Sequence, residues 1–200
     1  MSFVSFVAWT SFSCVLMSFV EHQIHGRVMH KRFFLSKYIK VLDKVFNSHA
    51  KLHHTTYAVA FSDDPVPRGE DKGIRLSMPE GIVESLFFAV PLSLISVTGA
   101  ISFVMVVACH HMIWNMIHME MHKPEHRFFG DWPVYKFLAR HHMMHHKYPS
   151  KNLNVVFPLA DYVLGTVVRP QYPDIVKFYR AKLLRRQRAM PQVHRKCCFR

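Results

Sequence analysis

The positive charges of this 200-residue chain fall in two blocks, and the gaps between the blocks constrain the fold more than any single motif. No Lys or Arg occurs in residues 1–26 or 80–122, so all 26 lie in 27–75 or 123–200. The first gap holds residues 2–20, an uncharged apolar run about long enough to cross a ~30 Å hydrocarbon core as a helix. The second holds residues 81–117, apolar apart from Glu84 and too long for one crossing at ~20 residues per span. It therefore reads as a hairpin, with Pro91 kinking the first arm and Thr98-Gly99-Ala100 as its turn. A signal peptide explains the first run less well than a retained anchor, because a basic flank and a small-residue cleavage site are both missing. A buried hairpin of a soluble bundle explains the second run less well, given its length and near-absence of charge.

These assignments predict an all-α, integral-membrane protein with about three transmembrane helices and a histidine-rich helical cap. One helix in, and a hairpin out and back, put every Lys and Arg on one face. The positive-inside rule makes that face cytosolic, at the endoplasmic reticulum of a eukaryote or the inner membrane of a bacterium. The pairing of 50% apolar residues with a net charge of +13 fits lipid contact for the former and anionic headgroups for the latter. No linker separates independent halves, so residues 1–200 read as one domain, with a core over about 15–168 and a basic tail over 169–200. From Lys177 onward that tail is basic and amphipathic, a membrane-surface helix or a solvated tail. It carries no nucleic-acid-binding motif, and nucleic acid is not an expected partner. Cys14, Cys109, Cys197 and Cys198 show neither a disulfide framework nor zinc spacing, as expected in a reducing compartment.

Local signals add detail. Phe33, Phe34, Leu35, Tyr38, Ile39 and Leu42 recur at helical spacing along a basic stretch that suits a membrane interface. Asn47 or Ser48 is placed to cap a helix starting near His49, and residues 62–71 form a polar loop rich in turn formers. Lys123-Pro124-Glu125-His126 ends a helix, and Asp131-Trp132-Pro133 starts the next, leading into residues 141–146. No strand pattern stands out.

Ten of the sixteen histidines form four spaced groups: His25/His30, His49/His53/His54, His118/His122 and His142/His145/His146. Neutral imidazole is the commonest protein metal ligand near neutral pH, and ten ligands suit two ions at roughly four to six positions each. Helical i, i+4 spacing lets His118 and His122 grip one ion, and predicts the same of His49 and His53. The adjacent pairs His53-His54 and His145-His146 project about 100° apart, so one turn can serve two ions. The five-residue span from His25 to His30 slightly exceeds a turn, enough to bridge two sites or to serve one with a twist. His22, His110, His111, His126, His141 and His194 stand outside the groups and are read first as ordinary histidines, although His110 and His111 lie deep enough in the second hairpin arm to support the ligands or face the site. Glu21, Glu120 and Asp161 are candidates to hold ligand imidazoles in the right tautomer.

The stretch Glu21-His22-Gln23-Ile24-His25-Gly26-Arg27-Val28-Met29-His30, the three later histidine groups, and Asn152 to Thr166 with its Pro158-Leu159-x-Asp161-x-x-x-Gly165-Thr166 ending resemble the fatty acid hydroxylase superfamily. This is a superfamily of integral-membrane di-iron enzymes that includes sterol desaturases and carotenoid hydroxylases. The resemblance covers about residues 15–168. The chain departs from it at Trp114-Asn115, where relatives carry a tyrosine-aspartate pair, and at Met119, where an aromatic residue is common. It also reads as one helix shorter at the N-terminus than four-span members, without an appended haem domain.

The resemblance implies two Fe ions on the ten grouped histidines and O2 as cosubstrate. It also implies an external electron donor such as a cytochrome b5 or ferredoxin type protein. The implied reaction is hydroxylation of an unactivated C–H bond in a membrane lipid, fatty acyl or sterol-like. Desaturation and carotenoid hydroxylation share the same motifs. Aromatic and Met side chains such as Phe128, Phe129, Trp132, Met143, Met144 and Phe157 are placed to line a lipid path. The reading from another class is a non-catalytic zinc-binding membrane protein, because histidine sites favour Zn2+ over Fe2+.

Overall fold

Ser2 opens the first helix by accepting a hydrogen bond from the Ser5 N–H, and eighteen residues without a charge then carry it to Glu21. In the computed structural model, which describes residues 2–56 and 76–184, this helix is α1 (Phe3–Ile24). It continues without a break into a π-helical turn, His25–Met29. A 3-10 turn (Phe34–Lys37) and α2 (Lys40–Phe46) follow, and α2 runs into a second π-helical segment, Asn47–His53, and the short α3 (His54–Thr56). The paired arms are α4 (Met78–Ser93) and α5 (Val97–His122), and α6 (Pro133–Lys147), α7 (Leu159–Val163) and α8 (Tyr172–Arg180) follow. All regular structure among the described residues is helical.

Two helices, Phe3–Met29 and Val97–His122, are long and apolar enough to cross a membrane. The first hairpin arm, α4, has 16 residues and contains Pro91. Large apolar side chains project outward from all three helices, among them Phe3, Val7 and Phe12 on α1, Phe87 and Val90 on α4, and Met105 and Ile113 on α5. Inward, Met17, Ala89, Ala100, Phe103 and Val107 pack the three together.

The hairpin turns earlier than expected. Leu94 and Ile95 make the bend, and Ser96 caps α5 by accepting from the Gly99 N–H at 3.1 Å, so Thr98-Gly99-Ala100 lies inside the first turn. Gly99 serves close approach instead: a Cβ there would lie 2.9 Å from the Trp9 ring of α1. The predicted cap at Asn47 or Ser48 is also absent, because the backbone is helical through that point and Asn47 donates to Asp43 at 2.8 Å. The predicted interface helix around Phe33 to Leu42 is broken at Tyr38 and Ile39, with Phe34 and Tyr38 exposed.

The expected helix break at Lys123 and the start at Trp132-Pro133 both occur. A second core joins α5, α6 and α8 through Trp114, Ile117, Met121, Phe129, Tyr135, Leu138 and Phe178. Phe178 is 2% exposed and Leu183 8%, so the chain past 168 belongs to the core up to that point rather than to a free tail. The polar loop 62–71, His194, Cys197 and Cys198 lie outside the described residues.

Candidate metal centre

The π-helical turns decide which histidines meet. In a π turn the i, i+5 neighbours share a face, whereas in an α-helix i, i+4 neighbours do. The His30 N–H bonds the His25 carbonyl at 3.1 Å, and the His54 N–H bonds the His49 carbonyl, so each pair stands on one face. In α5 and α6 the α-helical spacing does the same for His118/His122 and His142/His146.

The ten grouped histidines converge as two sets of five. One set is His25, His30, His49, His54 and His145; the other is His53, His118, His122, His142 and His146. Within each set, one ring nitrogen per residue lies within 4.8 Å of all the others. The adjacent pairs His53-His54 and His145-His146 divide between the sets, as their 100° separation predicts. The expected partnership of His49 with His53 does not form, because the π turn pairs His49 with His54.

The nitrogen spacings test whether an ion fits. In the first set Nε2 atoms approach at 2.9 Å (His25–His49), 3.2 Å (His49–His30), 3.0 Å (His30–His145) and 3.2 Å (His145–His54). In the second, His118, His122 and His142 form a triangle with edges of 3.0, 3.1 and 3.0 Å. His146 joins it at 3.1 Å from His142, and His53 lies 3.2 Å from His146. For metal–nitrogen bonds of ~2.1 Å, ligands at right angles stand ~3.0 Å apart and tetrahedral ligands ~3.4 Å. The observed edges fit five- or six-coordinate ions. Five histidines of about six positions leave room for one outside ligand at each.

Electrostatics prepares the imidazoles for this. Burial, with the neighbouring His25 and His54, pushes His30 down to about 2. Burial and His25 push His54 down to about 3. Burial and the facing rings hold His49, His53, His142 and His145 well below the ordinary histidine range. All six are therefore neutral at pH 7, with lone pairs available. Two are also locked in tautomer: His25 Nδ1 donates to the Leu153 carbonyl, and His145 Nδ1 to the Lys151 carbonyl at 2.8 Å. Each Nε2 is thereby left as the acceptor facing the cluster.

The three candidate carboxylates act at one remove, not on ligand rings. Asp161, fully buried, accepts from the Leu153 and Asn154 N–H groups, from Thr166 Oγ1 and from His141 Nε2. Burial alone would raise its carboxyl, but His141, Thr166 and the two backbone N–H groups hold it below the usual range. Glu21 accepts from the Val155 N–H at 2.8 Å and from Asn154 Nδ2 at 3.0 Å. Both carboxylates thus fix residues 153–155, and backbone carbonyls rather than carboxylates meet the ligand imidazoles. Glu120 faces away, bound by Arg127 at 2.6 Å and by the Glu125 N–H.

Several further residues shape the site. Asn152, at φ +51°, donates to the His141 carbonyl at 3.1 Å and accepts from the Val168 N–H at 2.7 Å, which shapes the loop supplying both carbonyls. Trp114 lays its ring on His118 with centroids 3.9 Å apart, and Asn115 clasps the Leu76 backbone at 2.7 and 3.0 Å. His22 meets Thr166 Oγ1 at 3.0 Å, His111 Nδ1 donates to the Val107 carbonyl, and His126 is exposed. Of the side chains expected along a lipid path, Phe129 and Met144 are core, Phe128 and Trp132 are exposed, and Phe157 borders a cleft between α1 and α5. No family model, no curated protein and no solved structure matches this chain.

Proposed function

We propose that the chain is a membrane-bound di-iron oxygenase of the fatty acid hydroxylase type, hydroxylating an unactivated C–H bond of a lipid with O2 and electrons from an external carrier. The carrying observation is the division of ten buried or half-buried imidazoles into two adjoining sets of five, each with right-angled nitrogen spacings. Those spacings suit an ion that takes five or six nitrogen ligands, iron among them. Two iron ions, when bound and reduced, supply the O2 activation and hydrogen removal that no side chain here provides.

The chain's own residues hold and orient. His25, His30, His49, His54 and His145 would ligate one ion, and His53, His118, His122, His142 and His146 the other. The carbonyls of Leu153 and Lys151 fix His25 and His145, and Glu21 and Asp161 fix the loop that carries them. Outward-facing apolar side chains on α1, α4 and α5 suit a bilayer. The ligands at the last turns of α1 and α5 then sit at its surface, beside the basic blocks. Lipid substrate and soluble or membrane-bound electron carrier, of cytochrome b5 or ferredoxin type, would meet there.

The test combines metal analysis with lipid mass spectrometry on membranes from cells making the wild type, His118→Ala or His145→Ala. About two irons per chain, and a lipid gaining one oxygen in the wild type alone, is the expected result. Stoichiometric zinc with no change in lipid mass would refute the oxygenase, and release of the protein by alkaline carbonate would refute the membrane setting.

A further inference from the structure

The stretch 152–168 contains one charged residue, Asp161, and that residue is fully buried. What the stretch turns outward is apolar: Phe157 is 43% exposed, Tyr162 57%, Val163 62% and Leu164 46%. Lys151 and Arg169 bracket it. Large apolar side chains this exposed, with no exposed charge among them, mark an interaction surface.

Its place on α1 says what meets that surface. The Ser18 hydroxyl donates to the Phe157 carbonyl at 2.6 Å and accepts from the Ala160 N–H at 3.0 Å, and Asn154 Nδ2 donates to the Ser18 carbonyl at 2.8 Å. Glu21, about one turn further on, accepts from the Val155 N–H. Residues 154–160 are therefore pinned across the turn of α1 where its uncharged run ends, the level at which a spanning helix leaves hydrocarbon for headgroups. Val15, one turn back along α1, is itself 41% exposed, so apolar surface runs from the spanning helix to the segment pinned beside it. Tyrosine is enriched at that boundary, and basic residues at both ends of the segment suit anionic headgroups. A protein partner would account for the apolar side chains but not for their level on α1.

We propose that residues 157–164, α7 with its flanks, form an interfacial anchor that docks into the headgroup boundary of the bilayer without spanning it, with Lys151 and Arg169 at anionic phosphates. The same five-residue helix carries Asp161, which holds the Leu153 and Asn154 N–H groups. The bilayer and the loop that orients His25 and His145 thus take hold of one element. The anchor rests on the membrane setting of the function proposed above and needs neither metal nor turnover.

The experiment reconstitutes the full chain in phosphatidylcholine–phosphatidylglycerol vesicles and irradiates it with a phosphatidylcholine carrying a diazirine near the glycerol end of one acyl chain. Cross-links are mapped to residues by mass spectrometry. Label is expected at Phe157 and at Tyr162 to Leu164 as well as at Val15 of α1. The Val163→Glu, Leu164→Glu variant alters two exposed positions and should lower the label over 157–164 at least about fivefold, while label at Val15 and flotation with the vesicles stay as in the wild type. In the wild type, label at Val15 with none over 157–164 would overturn the proposal, whether that face stands in water or lies under a second copy of the chain. Label that the two glutamates leave unchanged would overturn it too. Label over 157–164 with none on α1 or α5 keeps the anchor and removes the spanning helices, and no label on either removes both.

Discussion

Replacing Asp161 by Asn should unload one metal site and spare the other. The carboxylate receives four hydrogen bonds: Oδ1 from the Leu153 N–H (2.9 Å) and Thr166 (2.5 Å), Oδ2 from the Asn154 N–H (2.7 Å) and His141 (2.9 Å). An amide keeps one oxygen and turns the other into a donor. The less costly orientation puts the amide nitrogen at Oδ1, where the Thr166 hydroxyl turns to accept from it and the Leu153 N–H alone is left facing an N–H. At ~1.5–3 kcal/mol per charge-assisted bond, the cost is at least about 1.5–3 kcal/mol, a sizeable share of a typical 5–15 kcal/mol total. The loosened loop carries the carbonyls of Leu153 and Lys151, which orient His25 and His145, and both belong to the first set. Loss of such an outer partner costs roughly 10–100-fold in metal affinity. Chelator titration of the detergent-purified variant, read by metal analysis, should therefore show one ion leaving at about 10–100-fold lower chelator than in the wild type while the second follows near the wild-type point. Equal weakening of both ions, or an unchanged Tm, would refute the argument.

Three further outcomes follow from the geometry. His53→Ala and His54→Ala alter neighbouring residues yet should each weaken a different ion, and identical metal-release curves for the two would contradict the division into sets. Gly81→Ala places a Cβ 2.2 Å from His111 Nε2, so the hairpin must shift at a cost of ~1–3 kcal/mol, and an unchanged Tm in detergent would count against the packing of α4 on α5. In metal-stripped protein, His30 at about 2 and His54 at about 3 lie below the ~6.5 of an unfolded chain. Below that pH the unfolded state binds more protons, so the stability these groups contribute is complete above ~6.5 and is lost as pH falls toward 3, with a slope approaching ~1.4 kcal/mol per pH unit per group. Denaturant titrations between pH 7 and 5 that give a flat profile would refute it.

Where the backbone is α-helical, the ligand arrangement was legible in the spacing. His118/His122 and His142/His146 meet as i, i+4 pairs, and the adjacent histidines divide between two sets as their angular separation requires. The reading failed at His49/His53 because a π turn has no composition signal in 47–53; the extra residue per turn shows only once His54 is seen bonding back to His49. The same device resolves the five-residue span of His25 and His30. Glu21 and Asp161 were recognisable as support, but their reach was misjudged. A carboxylate holding a peptide N–H leaves no spacing pattern, whereas one holding a ligand two turns away does. Gly99 read as a turn because turns and close helix approaches both demand glycine, and only the Trp9 ring above it separates the two. Phe178 and Leu183 were hidden among basic neighbours, whose charges at the surface mask two anchors beneath.

Three helices deliver their histidines from the same end. His25 and His30 bracket the π turn in which the first helix ends, His118 and His122 occupy the last two turns of α5, and His142, His145 and His146 the last two of α6. A helix carboxyl end carries roughly half a negative charge from its aligned peptide dipoles. A ligand set made wholly of neutral rings gives a cation no counter-charge of its own, and here the backbone supplies it. Three such ends are held in place by the fold and cost nothing to reorient. An ion held by these rings would meet that partial negative charge from three directions without any acidic side chain among its ligands.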